Sequence, residues 1–164
     1  MTTPGCWSER SLRAVIQRVR SATVHVDEEL IARVGPGLVV LAGVGGSDRP
    51  EDGERLAKKI AELRVFDDDR GRMSRSVRDA GGAVLVIPQF TLYGDLRRGR
   101  RPDFTHAAPP DRAGALFDAL CGALRAAGVT VETGRFGARM RIDIEADGPV
   151  TIVATTDEWA EGAV

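Results

Sequence analysis

Apolar and polar residues along the first half of the chain follow the pattern of β-strands. Residues 14–26 are rich in β-branched side chains and contain neither Gly nor Pro, which predicts one long strand. Polar residues at 27–29 predict a hairpin turn, with a return strand over 30–34. Two continuous apolar runs, at 38–44 and 83–87, have the length and composition of buried strands.

Two amphipathic helices are predicted from the spacing of leucine and isoleucine. The first follows Ser47 or Asp48, either of which can cap it, and has Pro50 in its first turn. The second begins near Pro110 and ends at Gly128. Each helix has a single apolar stripe, formed by Leu56, Ile60 and Leu63 in the first and by Leu116, Leu120 and Leu124 in the second.

The C-terminal third returns to the strand pattern. The predicted strands cover 130–135, 139–145 and 150–155. Strict alternation in the second of them predicts that Met140, Ile142 and Ile144 form a buried face. Asp147-Gly148-Pro149 predicts a turn between the last two strands.

These elements predict a single α/β domain. Its sheet would be mixed, mostly antiparallel and of about seven strands, packed with two main helices, because three strands precede the first helix. No GxGxxG motif follows the first strand, which argues against a doubly wound nucleotide-binding fold. We expect residues 1–11 to be a disordered and dispensable extension, 12–156 to be the domain and 157–164 to be an acidic tail.

Composition narrows the class of protein. Hydrophobic residues make up 43% of the 164 residues and charged residues 29%, which excludes intrinsic disorder. No apolar run approaches the roughly 18 residues of a membrane span, and no secretory signal begins the chain, so a cytoplasmic location is expected. His25 and His106 lack paired metal ligands, so neither a metal nor another cofactor is expected.

One long loop has an unusual concentration of positive charge. Arg97, Arg98, Arg100 and Arg101 lie within five residues of one another in the 88–105 loop. Such a cluster repels itself and is stabilised by an anion, and a guanidinium fork fits phosphate. Loops of this length in a compact domain are usually functional.

Several motifs, spread over residues 12–154, occur together in one order. They are Arg13-Ala14-Val15-Ile16-Gln17-Arg18-Val19, Gln89-Phe90-Thr91-Leu92, Gly99-Arg100-Arg101-Pro102, Ala108-Pro109, Thr133-Gly134-Arg135-Phe136-Gly137 and Asp147-Gly148-Pro149-Val150-Thr151. In this order they resemble the D-aminoacyl-tRNA deacylases. The resemblance implies a homodimeric enzyme that hydrolyses the ester between a D-amino acid and the terminal adenosine of tRNA, and that also removes glycine from alanine tRNA. It implies no membrane or DNA partner.

The resemblance also implies roles for individual residues. Gly148-Pro149 would have a cis peptide bond, enter the partner subunit's site and block the side chain of an L-amino acid, and Met140 and Ala108 would help to bind the substrate. Gln89 would either contact the substrate or support the residues that do, while the backbone amides of Phe90 and Thr91 would face the scissile carbonyl as an oxyanion hole. The general base would be the 2′-hydroxyl of the RNA, so Thr91 is expected to position groups rather than to attack. The arginine cluster would bind the phosphates of the acceptor end.

Three positions depart from the pattern of the family. Pro88 replaces the usual Ser, Arg72-Met73-Ser74 replaces Lys-Met-Asn, and Ala146 replaces Asn before Asp-Gly-Pro. Proline removes a hydroxyl and an amide N–H at the mouth of the site. A related animal branch that removes L-alanine from threonine tRNA carries Pro-Gln-Ala-Thr there. One alternative is therefore a relaxed-chirality deacylase acting on L-alanyl-tRNA, and another is a tRNA-binding module without hydrolysis.

Overall fold

The mixed sheet predicted from the sequence is present in the computed structural model, which describes residues 11–159. Its strands are β1 (Arg13–Val26), β2 (Glu29–Val34), β3 (Gly37–Gly43), β4 (Phe66–Asp67), β5 (Met73–Arg75), β6 (Ala83–Pro88), β7 (Thr130–Thr133) and β8 (Arg141–Thr155), and its helices are α1 (Pro50–Glu62) and α2 (Pro110–Ala126). The main sheet runs β2-β1-β3-β6-β7, with β8 paired to β1. β1 is antiparallel to β2, β3 and β8, whereas β3, β6 and β7 are parallel. The predicted α/β class with two main helices is confirmed.

The two helices cover one face of the sheet. Leu56 and Ile60 of α1 and Leu120 and Leu124 of α2 are fully buried against β3 and β6. Cys121 is buried in the same cluster, where burial raises the pKa of its thiol to about 11. Removing these side chains from water is the main stabilising contribution to this layer.

The two halves of β1 pack in two different hydrophobic clusters. Ala14 and Ile16, in its first half, belong to the helix-side core, whereas Val24, in its second half, packs in a separate cluster with Val39 and Leu85. One edge of β1 is shared by β3 and β2 in turn, and the other edge pairs with β8 along almost its whole length. β1 therefore connects both cores with β8.

The predicted cap of α1 is wrong. Asp48 is fully buried and accepts a hydrogen bond from the Gly45 amide at 2.6 Å, so it turns away from the helix. Arg49 is the N-cap residue instead, and its amide donates to the Asp52 carboxylate at 2.9 Å. Asp48 is thus a component of the adjacent loop.

The predicted turn at 147–149 is also wrong, and the buried face predicted for the strand before it is only partly present. β8 continues through these residues, and 147–150 form a bulge opposite Arg18, because Ala146 pairs with Val19 and Thr151 with Gln17. β1 is long enough to pair with both halves of β8, so the chain does not reverse. Met140 and Ile142 are half-buried and pack against the cluster that contains Val24, but Ile144 is 38% exposed because no residue between 11 and 159 covers it.

A short hairpin was not predicted. The polar residues after Asp67 connect β4 to β5, which pair as a separate two-stranded sheet. The Asp68 carboxylate accepts hydrogen bonds from the amides of Arg70 and Arg72 and from the Ser74 hydroxyl. These bonds hold the pKa of Asp68 below its usual range, the Arg72 amide contributing most.

The predicted domain boundaries are only partly within the described residues. Residues 1–10 and 160–164 lie outside them, whereas Ser11, which was expected in the extension, is fully buried. Residues 156–158, which include the predicted start of the tail, form a 3-10 turn, and Trp159 packs on the core beside α1. Between residues 11 and 159, no helix is long and apolar enough to cross a membrane.

Candidate active site

A cleft of about 590 Å³ opens where β3 and β6 end. Its lining comes from β6 and the loop after it, the start of α2, and the segment between β7 and β8. Of the residues predicted to act in catalysis or substrate binding, the lining contains Gln89, Phe90, Ala108 and Met140. Three more aromatic residues, Phe104, Phe117 and Phe136, line the cleft beside Phe90, and the sequence assigned a role in the site to none of the three.

The Gln89–Thr91 segment begins where β6 ends. The backbone amide of Gln89 donates to the Ala42 carbonyl at 2.8 Å, which extends the pairing of β6 with β3 by one residue. Phe90–Tyr93 then form a 3-10 turn whose first bond runs from the Leu92 amide to the Gln89 carbonyl at 3.3 Å. The amides of Phe90 and Thr91 precede that bond, so the turn itself does not use them. The Gln89 side-chain amide donates to the Thr91 hydroxyl.

Gly148 and Pro149 lie at the exposed tip of the 147–150 bulge. The peptide bond between them is cis, as the resemblance implies. Gly148 has φ of +128°, and a Cβ atom there would lie 2.6 Å from the Val150 nitrogen, so the bulge requires glycine. Neither residue lines the cleft of its own chain.

Arg18 supports the bulge, a role that the sequence did not indicate. Its side chain is 90% buried, and its Nε lies 3.3 Å from both the carbonyl and a carboxylate oxygen of Asp147. Its Nη1 donates to the Val65 carbonyl at 2.7 Å and lies 3.6 Å from the Asp67 carboxylate. The only feature of the sequence that could have indicated this role is the presence of an arginine within a strand of mostly apolar residues. The base of the bulge is thereby tied to the hairpin after α1.

The arginine cluster forms the tip of a hairpin closed by Asp95 and Asp103, whose backbones exchange bonds of 2.8 and 3.0 Å. Arg97 is paired with Asp95 at 2.6 Å, and this hydrogen-bonded pair holds the pKa of Asp95 well below its usual range. Arg98, Arg100 and Arg101 are exposed and form no ion pair or hydrogen bond within residues 11–159. The cluster thus keeps three uncompensated charges.

Comparison with known proteins identifies the family of this chain. The model of a family described as D-Tyr-tRNA(Tyr) deacylase matches residues 15–155. A protein named D-aminoacyl-tRNA deacylase from Heliobacterium modesticaldum is 54% identical over 142 residues, which cover 87% of this chain and 95% of that protein. A protein of the same name from Symbiobacterium thermophilum is 51% identical over 147 residues, covering 90% of this chain and 97% of that protein.

The chain belongs to the D-Tyr-tRNA(Tyr) deacylase family.

Two solved structures have the same fold. One, described as the c-Myc DNA Unwinding Element Binding Protein, has a TM-score of 0.81 at 38% identity and covers 87% of this chain and 97% of its own. The other, described as a probable eukaryotic D-amino acid tRNA deacylase, has a TM-score of 0.79 at 19% identity and covers 88% of this chain and 99% of its own.

A buried polar network holds the 3-10 turn from behind. Tyr93, which ends the turn, is 1% exposed, and its hydroxyl donates to the Ser11 carbonyl and lies 3.4 Å from an Asp48 carboxylate oxygen. The Arg13 guanidinium stacks 4.3 Å from the centre of the Tyr93 ring and donates to the Leu92 carbonyl at 3.0 Å. The C-terminal end of the turn is therefore fixed by groups outside the cleft.

The Asp48 carboxyl has an unusual environment for an acid. Burial raises its pKa from 3.8 to about 6, and the hydrogen bond from the Gly45 amide only partly offsets this. Its Oδ1 has no hydrogen-bond partner among residues 11–159. A buried carboxyl of this kind favours the neutral form.

This environment predicts how stability changes with pH. The pKa of Asp48 is higher in the folded state, so the protonated acid stabilises the fold below pH 3.8 and this contribution disappears as pH rises through about 6. Asp48→Asn does not titrate. Between pH 4 and pH 7, we expect the free energy of unfolding of the variant to rise relative to the native chain by about 2 to 3 kcal/mol. Urea unfolding at both pH values measures this; parallel behaviour of the two proteins would contradict it.

Proposed function

We propose that the chain hydrolyses the ester bond of D-aminoacyl-tRNA, releasing free tRNA and amino acid as a chiral proofreading step of translation. The observation that carries this proposal is the position of Gln89 and Phe90 in a cleft that also contains Met140 and Ala108. Within residues 11–159, no group of three or more His, Cys, Asp and Glu is placed to hold a metal ion. An ester is already activated, and oriented backbone amides can stabilise its oxyanion. Aminoacyl-tRNA is used in translation, so we place the activity in the cytoplasm.

The working enzyme in this proposal is a homodimer. Strand β8 pairs only with β1 among residues 11–159, and it exposes Ile144, Ile152 and Val153, at 38%, 37% and 57%. Apolar residues exposed together on one strand favour a partner surface, and a two-fold interface would let each copy cover the other's strand. The Gly148-Pro149 tip, which lies outside its own cleft, would then enter the partner's cleft. Its backbone would exclude an L side chain but not glycine, so glycine on alanine tRNA is also a substrate.

Pro88 favours a second candidate function. It lines the cleft next to Gln89, at the position where the family usually has serine, so its ring occupies space that a hydroxyl would leave open to substrate. Because this part of the cleft wall differs, the second candidate is a deacylase with relaxed chirality that acts on L-alanyl-tRNA. A tRNA-binding module without hydrolysis is the remaining alternative.

One assay separates the three candidates. Purified protein is incubated with D-tyrosyl-, L-tyrosyl-, glycyl- and L-alanyl-tRNA, and the release of amino acid is followed with time. We expect rapid release from the D-tyrosyl and glycyl esters only. Rapid release from L-alanyl-tRNA would favour relaxed chirality. Binding of tRNA without any release would reject the enzyme.

The unpaired arginines of the hairpin tip should contribute to the affinity for tRNA. We expect Arg98→Gln/Arg100→Gln to weaken tRNA binding and to reduce the slope of log affinity against log salt by about 1.4 to 1.8, because each phosphate contact contributes roughly 0.7 to 0.9. The matched control is Arg33→Gln/Arg64→Gln, which removes two exposed and unpaired charges away from the cleft. If the slope stays the same in the tip variant, the cluster is structural and does not bind RNA.

A further inference from the structure

The segment between β7 and β8, residues 134–140, lies against the start of the Gln89–Thr91 segment; we call it the wall segment. A Cβ atom on Gly134 would lie 2.8 Å from the Met140 sulfur and 3.5 Å from the Pro88 ring. Phe136, Gly137, Ala138 and Met140 line the cleft. Arg135 and Arg139 belong to the same segment but do not line it, and both are exposed. The wall segment therefore presents apolar groups inward and two guanidinium groups at the rim.

The two rim arginines have no internal counter-charge. Neither guanidinium group forms an ion pair or a hydrogen bond with any residue between 11 and 159, and the sequence has no acid between Glu132 and Asp143. By contrast Arg141, two residues further on, is paired with Glu28 at 3.6 Å and with Asp143 at 3.7 Å. Within residues 135–141, the two uncompensated arginines are thus those of the wall segment, beside the cleft.

The arginine-rich hairpin is connected to the same cleft. The loop that contains it also supplies Phe90 and Phe104 to the lining, and their rings pack edge to face at 5.0 Å. Two different segments therefore line one cleft, and each has unpaired arginines on its exposed side. The cleft is too small to admit a double helix, so a nucleic acid can reach its floor only through an unpaired end.

We propose that Arg135 and Arg139 form a second phosphate-binding arm, which holds the backbone of the unpaired 3′ end of the RNA as it leaves the cleft. This inference rests on the proposed function, because it takes the ester of the terminal nucleotide to lie at Gln89 and Phe90. The phosphates nearest to that ester then pass the rim formed by the wall segment. Guanidinium groups bind phosphodiesters through charge and paired hydrogen bonds, whatever the base sequence. The arm would increase affinity without selecting the amino acid.

The test compares two substrates that share the ester but differ in phosphates. One is D-tyrosyl-tRNA, and the other is the 3′-D-tyrosyl ester of adenosine, which has no phosphate. For Arg135→Gln/Arg139→Gln, we expect kcat/KM on tRNA at low salt to fall about tenfold, and the salt slope to fall by about 1.4, since unpaired strands contribute roughly 0.7 per phosphate. On the adenosine ester we expect a change of less than twofold. Arg33→Gln/Arg64→Gln should match the native protein on both substrates.

Three results would overturn the arm: an unchanged kcat/KM and slope on tRNA, an equal loss on the adenosine ester, or an equal loss in the control variant. The same salt series is also measured as direct binding of uncharged tRNA. If the native protein hydrolyses neither ester, the proposed function fails, and the binding slopes of the two variants still decide whether Arg135 and Arg139 contact phosphate. A melting temperature equal to that of the native chain excludes a folding defect.

Discussion

Gly148→Ala is expected to lower kcat/KM on D-aminoacyl-tRNA by about a hundredfold. An alanine side chain there would lie 2.6 Å from the Val150 nitrogen and 2.9 Å from a Val150 methyl group, in a backbone conformation that only glycine adopts readily. The bulge must shift to relieve these contacts. A displacement of about 1 Å at a catalytic site can cost on the order of 10²-fold in rate. Steady-state kinetics on D- and L-aminoacyl-tRNA measures the loss of rate and the accompanying loss of discrimination.

The control for this variant is Gly122→Ala, on the exposed side of α2. A Cβ atom at Gly122 would meet nothing within 4 Å, so the substitution adds the same methyl group without a clash. It should leave the kinetics unchanged and stabilise the helix by about 0.5 to 1 kcal/mol. Native activity in Gly148→Ala would show that the tip of the bulge does not take part in the reaction.

The second large effect is expected from a change in the substrate rather than in the protein. Thr91 is exposed, its hydroxyl accepts a bond from the Gln89 side chain, and it does not line the cleft. We therefore expect Thr91→Ala to lower kcat by no more than about tenfold, whereas general base catalysis contributes about 10² to 10⁴. Replacing the terminal 2′-hydroxyl of the tRNA by hydrogen should remove that larger factor.

Single-turnover kinetics with native and 2′-deoxy substrate, on native protein and Thr91→Ala, provides all four rates. The adjacent Gln89→Glu variant tests whether Thr91 is held by its neighbour, because it replaces the donating amide by a carboxylate while keeping its size. Full activity on the 2′-deoxy substrate, together with an inactive Thr91→Ala, would make Thr91 the nucleophile.

Much of the fold was predictable because it depends on local pattern. The β-branched run of β1 and the leucine stripes of α1 and α2 determine the type of each element without knowledge of its neighbours. The bulge in β8 was not predictable in this way. Asp-Gly-Pro has the composition of a turn, and only the length of β1, which continues on both sides of Arg18, makes it a bulge.

The site was predictable to the extent that it is continuous in sequence. The long loop after β6 and the residues of the resemblance indicated Gln89 and Phe90, which do line the cleft. The sequence predicted Asp48 as a possible helix cap because the residues that hold it in the core give no local signal. Tyr93 is distant in sequence, and Gly45 has no side chain and acts through its backbone amide. Arg18 and the wall segment act through contacts between remote strands, for which the sequence contains no periodic signal.

The separation of the bulge from its own cleft has a genetic consequence. If each site combines the cleft of one chain with the Gly148-Pro149 tip of another, a defect in the cleft and a defect in the tip can be complemented in one mixed assembly. Random exchange between a chain inactivated at Gln89 and a chain inactivated at Gly148 would make half of the dimers mixed, each with one intact site, and so recover about a quarter of the native activity. Two alleles of one gene, each inactive alone, would then be active together.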